Sequence, residues 1–181
     1  MHINNIGYNH CHDADFCIQR PDGSGDYLLL LIKTPAVFTF SETDTFTEAN
    51  SFILYKEGTP QFYRAYGTQF SNDWFHFKLS SGDFDFFDAL DIPFDKVVKL
   101  DDINGLSLII KNMAYESYSS NMFKTDSAEL YMKLFFIKLS EEIHSFGGSR
   151  SSTHYDKMAL LRSQIYNMPY NEWNVDGLSH Q

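Results

Sequence analysis

Three side chains that can contact a small polar molecule alternate along one segment of the sequence. Asn72, Trp74 and His76 are each separated by one residue, and Phe75 and Phe77 alternate with Trp74 and His76. Because successive side chains of a β-strand point to opposite faces, this spacing predicts that the three polar residues share one face. Amide and imidazole groups can hydrogen-bond hydroxyls, and an indole can pack on the apolar face of a sugar ring. The pattern therefore predicts a surface for a small polar ligand.

A second group of chemically capable side chains lies near the start of the chain. His10-Cys11-His12 is followed by Asp13 and Asp15, and all these residue types can ligate metals. The stretch precedes the first predicted strand and lacks a glutamate and a third histidine at strand spacing. We therefore interpret it as a solvated loop, and metal binding there is left open.

Motifs of nucleophilic and nucleotide-dependent catalysis are absent from the sequence. It contains no Gly-x-Ser-x-Gly, no P-loop and no Gly-x-Gly-x-x-Gly. Cys17, near Arg20, is interpreted as an inert strand cysteine. The sequence thus predicts a protein that is not an enzyme and needs no cofactor.

The composition indicates which partners and which cellular compartment to expect. The 181 residues carry 14 Lys+Arg against 24 Asp+Glu, a formal charge of −10, which disfavours binding to phosphate backbones. No apolar run is long enough to span a bilayer, and the start lacks a signal-peptide pattern. Two cysteines are too few for a disulfide scaffold. We expect a cytoplasmic protein without a membrane partner.

Short segments rich in β-branched and aromatic residues, separated by turn residues, dominate the first half. They predict a small antiparallel barrel or sandwich. The predicted strands are Phe16–Arg20, Tyr27–Lys33, Val37–Phe40, Ser51–Tyr55, Gln61–Tyr66 and Trp74–Leu79. The acidic and aromatic run Asp83–Asp88 is interpreted as an exit segment that docks its rings on this barrel.

Helical periodicity dominates the second half. Apolar residues three and four apart predict one helix over Ile103–Tyr118 and a second from Asp126 or Ser127 to about Phe146. The second has a wide apolar stripe that can cover a core and also meet a partner. A Gly- and Ser-rich linker and a third helix, Tyr155–Asn167, follow. Asn174 is predicted to cap a further helix that begins at Val175, close to the end, so we expect the sequence to be part of a longer protein.

The order of these segments resembles that of the AraC-type transcriptional regulators. The resemblance covers nearly the whole chain and rests on order and spacing together. The stretches that carry it are Gln19-Arg20-Pro21, Asp26–Ile32, Ser51–Tyr55, Glu57–Tyr63, Trp74-Phe75-His76-Phe77, and the pattern from Leu161 through Pro169 and Trp173 to Leu178.

The resemblance implies an α+β fold, with a cupin-like antiparallel β-barrel (jelly roll) followed by a helical pair used for dimerisation. It implies four regions: a ligand-binding barrel over residues 1–95, a helical dimerisation region over 96–147, a linker over 148–154, and the truncated start of a helix-turn-helix domain over 155–181. Both recognition helices of that domain would lie beyond this sequence, so DNA would be contacted only through the missing part.

The resemblance also implies the residues of a binding site. By resemblance to the arabinose-responsive member of the family, Arg20 would match the arginine that binds the sugar. Tyr63 would match a tyrosine of the pocket, and Trp74 the tryptophan that stacks on the sugar. Asn72 falls where that member has a histidine, and His76 is the remaining candidate on the same strand face. The expected effector is a small sugar or related polar metabolite. Tyr8 or Asn9 would be the residues of an amino-terminal arm able to close the pocket.

The second helix is the expected dimerisation element. Leu130, Leu134 and Ile137 form one stripe, and by resemblance this helix would pack against its twin in a homodimer.

Two other functions stay open at this point. A metal-dependent cupin enzyme would require a metal at His76, the sole histidine of the predicted barrel strands. A ligand-free interaction module would fill the barrel with Phe and Leu. An inward group of Arg20, Tyr63, Asn72 and Trp74 around an open pocket would instead favour the ligand-binding domain.

Overall fold

The computed structural model of the chain describes residues 1–145. They form nine strands and three α-helices, with a 3-10 turn at Ser81–Asp83. The strands are β1 His2–Asp13, β2 Cys17–Arg20, β3 Tyr27–Ile32, β4 Ala36–Phe40, β5 Thr43–Thr47, β6 Ser51–Tyr55, β7 Gln61–Ala65, β8 Gln69–Lys78 and β9 Val98–Lys99; the helices are α1 Phe84–Leu90, α2 Asn104–Tyr118 and α3 Lys124–Ser145. Chain contacts define one compact unit over Met1–Ile143.

The strands form two antiparallel sheets with the strand order of a jelly roll. One sheet has the order β1-β8-β3-β6-β9, and the other has the order β2-β7-β4-β5. The predicted α+β class is confirmed. The expected closed barrel is not observed, because β1 and β2 end their respective sheets without pairing to each other.

Strand β3 explains why the larger sheet has an apolar core on each side. Its leucines alternate: Leu28 and Leu30 face the smaller sheet, whereas Leu29 and Leu31 face the helices. All four are at most 1% exposed. A strand buried on both faces needs an unbroken apolar run, which is what Tyr27–Ile32 provides. The fold therefore has three layers: sheet, sheet and helices.

Helix α3 covers the outer face of the larger sheet with one side only. Its residues Met132, Phe135, Phe136 and Leu139 are fully buried, and the Phe135 ring meets Phe75 of β8 edge-on at 5.3 Å between centroids. The opposite side carries the predicted dimerisation stripe, in which Leu130 is 67%, Leu134 40% and Ile137 38% exposed. The helix thus has apolar residues on two sides, as its wide stripe predicted.

A β-bulge shifts the register between β1 and β8. Gly7 pairs with Trp74 and His10 pairs with Asn72, so two residues of β1 lie opposite Asp73 alone. The extra residue is accommodated by Asn9, whose φ of 52° is in the left-handed region that asparagine tolerates. The Asn9 backbone N–H donates to Asp73 Oδ1 at 2.6 Å, which fixes the bulge in place.

The carboxylate of Asp73 connects three elements beneath the larger sheet. Asp73 is completely buried, and its Oδ1 lies 2.7 Å from Lys33 Nζ, just after β3. Its Oδ2 accepts a hydrogen bond from Ser107 Oγ of α2 at 2.7 Å. A buried charge is tolerated when it is paired and fully hydrogen-bonded, and both oxygens of Asp73 meet that condition.

Several sequence predictions about elements were wrong. The His10-Cys11-His12 stretch, expected as a solvated loop, lies in β1, because this strand pairs with β8 along most of its length. Tyr8 and Asn9 consequently lie at the bulge rather than in an arm. The exit segment Asp83–Asp88 packs Phe86 and Phe87 on the core, as expected, and most of it is helix α1. Strands β5 and β9 were not predicted. The linker, the Tyr155–Asn167 helix and the region 155–181 lie outside the described residues.

Within residues 1–145, none of the helices is both long and apolar enough to cross a membrane.

The Asp73 network predicts a large stability effect. Replacing Asp73 with Ala leaves Lys33 without its buried counter-ion and frees the bulge, so we expect the free energy of unfolding to fall by about 3 kcal/mol. Urea denaturation followed by circular dichroism measures this change. Asp88→Ala, an exposed carboxylate on α1, is the control and should change stability by less than ~0.5 kcal/mol. An equal effect of the two substitutions would contradict this role of Asp73.

Candidate ligand-binding cavity

A cavity of about 160 Å³ lies between the two sheets, where the unpaired strands β1 and β2 leave the barrel open. It is comparable with the ~150 Å³ engineered cavity that accommodates one benzene molecule. The residues around it are His10, His12, Phe16, Ile18, Arg20, Leu28, Leu30, Tyr63, Asn72, Trp74 and His76. All five residues predicted as a site from the sequence therefore line one cavity.

Strand alternation places these residues. Asn72, Trp74 and His76 project from β8 on the side of Leu28 and Leu30, as their pairing with β3 requires. From the smaller sheet, Arg20 of β2 lies directly opposite Gln61 of β7, and Ile18 opposite Tyr63. The two leucines form an apolar floor, and the polar groups surround it.

Gly7 positions the indole of Trp74. The two residues are cross-strand partners, and a Cβ atom at Gly7 would overlap the indole ring around Nε1. Glycine is therefore required for the ring to lie against β1. The indole N–H donates to His10 Nδ1 at 3.2 Å, which fixes the ring and leaves its carbon surface to face the cavity.

His76 is held by a carboxylate that does not itself line the cavity. Its Nδ1 lies 2.7 Å from Asp26 Oδ1, and Asp26 also accepts from Asn4 Nδ2 at 2.8 Å. Burial opposes ionisation of Asp26, but the hydrogen bonds from Asn4 and His76 hold the pKa of this carboxyl below its usual value. The ionised Asp26 therefore orients the imidazole at the cavity wall.

Arg20 and Tyr63 are the donors of the smaller sheet. Arg20 Nη1 donates to Gln61 Oε1 at 3.1 Å, and the fully buried Gln61 donates in turn to Ser24 Oγ at 3.0 Å. Burial raises the pKa of Tyr63 to about 12, although the nearby guanidinium opposes this shift. Tyr63 is thus a neutral hydroxyl at ordinary pH.

Asn72 is one of two buried residues, with Thr47, that carry a side-chain oxygen without a hydrogen-bond partner among residues 1–145. It is 3% exposed, and its Oδ1 has no hydrogen-bond partner among residues 1–145. A buried acceptor left without a donor costs about 1–3 kcal/mol. A ligand hydroxyl in the cavity would remove that cost.

Sequence reasoning missed the part of the wall that β1 contributes. His10 and His12 reach the cavity only because the bulge at Asn9 changes which face they occupy. The His12 ring stacks on Phe16 at 4.0 Å between centroids. Burial and the neighbouring His10 lower the pKa of His12, with Asp13 opposing. The signal available in the sequence was the His10-x-His12 alternation, which was interpreted as a loop.

The His10-Cys11-His12 segment does not assemble a metal centre in the described part of the chain. Residues 1–145 contain no group of three or more His, Cys, Asp or Glu arranged to ligate an ion. Cys11 and Cys17 are free and exposed.

Comparison with known proteins gives only distant similarities. No protein-family model matches the sequence, and no curated protein matches it significantly. Among solved structures, the chain is similar to ToxT of Vibrio cholerae. The apo form of a ToxT variant is 16% identical, with 94% of this chain and 68% of that chain covered and a TM-score of 0.46. Wild-type ToxT bound to an unsaturated fatty acid is 14% identical, with 98% of this chain and 69% of that chain covered and a TM-score of 0.44.

A third ToxT structure, bound to (E)-4-(8-methylnaphthalen-1-yl)but-3-enoic acid, is 10% identical, with coverages of 94% and 68% and a TM-score of 0.47. With identities below 25% and TM-scores below 0.5, these similarities assign no ligand to this chain.

The Gly7–Trp74 contact yields a prediction about the cavity. Gly7→Ala forces the indole away from β1 and breaks its bond to His10, so Trp74 should become more exposed. Quenching of tryptophan fluorescence by acrylamide, measured in a Trp173→Phe background, should increase.

Gly82→Ala is the matched control, because a Cβ there meets nothing within 4 Å. Identical quenching in Gly7→Ala and Gly82→Ala would show that Trp74 does not depend on Gly7.

Proposed function

We propose that this chain is the effector-binding and dimerisation part of an AraC-type transcriptional regulator, and that a small sugar or related polar metabolite binds in the cavity between its sheets. No bond is made or broken in this function. The proposed regions are the barrel over residues 1–95, the helical region over 96–147, a linker over 148–154 and the start of a DNA-binding domain over 155–181. The proposed location is the cytoplasm.

The observation that carries the proposal is the convergence of Arg20, Tyr63, Asn72, Trp74 and His76 on one cavity. These residues come from both sheets and are separated by up to 56 positions in the sequence, from 20 to 76. A ligand-free interaction module would fill this space with apolar side chains. Here apolar residues form the floor, whereas the walls carry hydrogen-bonding groups, which is typical of a site for a small ligand.

The cavity suits one six-membered ring. The carbon surface of Trp74 can pack against the C–H face of a pyranose, as aromatic rings do with apolar surfaces. Arg20 and Tyr63 can donate to ring oxygens and hydroxyls, and Asn72 can accept from a hydroxyl. Leu28 and Leu30 provide the apolar floor against which such a ring can pack.

Helix α3 supports the proposed homodimer. Leu130, Leu134 and Ile137 are spaced by four and three residues and lie on its exposed side. Pairing two such helices would bury these apolar residues and leave the core residues Phe135 and Leu139 in place. Effector binding would then act by its different affinity for two arrangements of the dimer and its DNA-binding domains.

Thermal-shift screening against monosaccharides tests the ligand-binding function. A ligand that binds only the folded chain raises the melting temperature. For a sugar found in this way, Arg20→Ala and Trp74→Ala should each weaken binding about 10-fold or more, because each removes a charged or stacking contact.

Arg64→Ala is the control, since Arg64 is exposed and pairs with Asp44 on the outer side of the smaller sheet. Unchanged affinity in both cavity variants would place the ligand elsewhere.

The dimer is tested by sedimentation velocity of Leu134→Asp and Ile137→Asp. Charges in the stripe should convert a dimer to a monomer, because ionised carboxylates cannot be buried unpaired in an apolar interface. Leu108→Asp on α2, at a residue 55% exposed, should leave the dimer intact. A dimer that survives both α3 substitutions would require a different interface.

A further inference from the structure

We propose that the ligand of this cavity carries a carboxylate: it is a small hydroxylated ring acid, of which a hexuronic acid is the simplest sugar form. The inference rests on the proposed function, because it assumes that the cavity is the effector site. It adds the charge of the ligand, which that proposal does not specify.

The ionisable residues around the cavity are cationic or neutral. Arg20 and three histidines, His10, His12 and His76, line it, and no aspartate or glutamate does. This is the reverse of the whole chain, which has 24 acidic against 14 basic side chains. A wall without carboxylates in an acidic protein removes the repulsion that an anionic ligand would otherwise meet.

Arg20 is a charge without a counter-ion. Among residues 1–145 it has no carboxylate within ion-pair distance, and its bond goes to the neutral amide of Gln61. By contrast, Lys33 and Arg64 are paired with Asp73 and Asp44. A guanidinium in a partly buried site gains most from a carboxylate, which accepts two parallel N–H bonds. Nη1 is partly engaged by Gln61, and the remaining N–H groups are available.

Two further groups offer hydrogens to a ligand acceptor. The Tyr63 hydroxyl keeps its proton, as its raised pKa shows, and lies close enough to Arg20 to feel its charge. His10 accepts the Trp74 N–H at Nδ1, so the proton of its neutral ring is on Nε2. Donors from Arg20, Tyr63 and His10 favour a ligand with acceptor oxygens.

The Asp26 carboxylate behind the wall is hydrogen-bonded to other side chains. Asp26 is bonded to His76 at 2.7 Å and to Asn4 at 2.8 Å, and it does not line the cavity. Asp73, the neighbour of Asn72 and Trp74 in sequence, points to the other side of the sheet and pairs with Lys33. Neither acid competes with a ligand for Arg20.

The ligand also needs a hydroxyl and a compact ring. The unpartnered Oδ1 of Asn72 accepts a hydrogen, which a carboxylate cannot supply at neutral pH. The volume of about 160 Å³ and the indole of Trp74 limit the ligand to about one ring. A ring that bears both a carboxylate and hydroxyls satisfies Arg20 and Asn72 at once.

Isothermal titration calorimetry of matched acid and neutral sugars tests the inference. Glucuronate is compared with glucose, and galacturonate with galactose, at pH 7.5 and constant ionic strength. At least one acid should bind about 10-fold or more tightly than its neutral partner, because a charge-assisted pair replaces a neutral hydrogen bond. Arg20→Gln should bring the acid down to the affinity of the neutral sugar, whereas Arg64→Gln should change neither.

The remaining outcomes separate this inference from the proposed function. If a neutral sugar binds as tightly as its acid, the inference that the ligand carries a carboxylate is wrong, and the proposal that the cavity binds a sugar still holds. Binding of shikimate with no binding of any sugar or sugar acid supports the hydroxylated ring acid and overturns the assignment of the ligand as a sugar. Binding of none of these probes overturns both.

Discussion

The alternation of side chains along β8 is the constraint on which the rest of the structure depends. Asn72, Trp74 and His76 can face a cavity only because Asp73 and Phe75, on the opposite face, are buried against the helices. The same strand is therefore a wall of the cavity and part of the helix-packed core. A shift of one residue would exchange the two faces, placing the buried aromatic rings at the cavity and the polar groups under α3.

The bulge in β1 completes that arrangement. One extra residue at Asn9 lets Gly7 lie under Trp74 and still brings His10 to the same face. The buried Asp73 carboxylate stabilises the bulge and is bonded to α2 through Ser107. Asp73, which lies between Asn72 and Trp74 in β8, thus links the strand that forms the cavity wall to the helical layer.

Sequence patterns identified the features that follow from local periodicity. The alternation at Asn72–His76 and the apolar run at Tyr27–Ile32 predicted strands and faces, and the helices α2 and α3 were placed within a few residues of their observed bounds. The open barrel and strand β1 were not predicted. β1 lacks an apolar run because it ends its sheet, and its pairing depends on β8, some sixty residues away. The bulge depends on a contact between Asn9 and Asp73 that no local pattern encodes.

Fluorine NMR of 5-fluorotryptophan-labelled protein tests most directly whether the cavity between the sheets is the ligand site. The Trp74 resonance, assigned with Trp74→Phe, is followed while a sugar or sugar acid shown by calorimetry to bind is added. If the ligand binds in this cavity, the Trp74 resonance should shift and saturate with the affinity measured by calorimetry. Binding that leaves the Trp74 resonance unchanged would contradict a ligand site in this cavity.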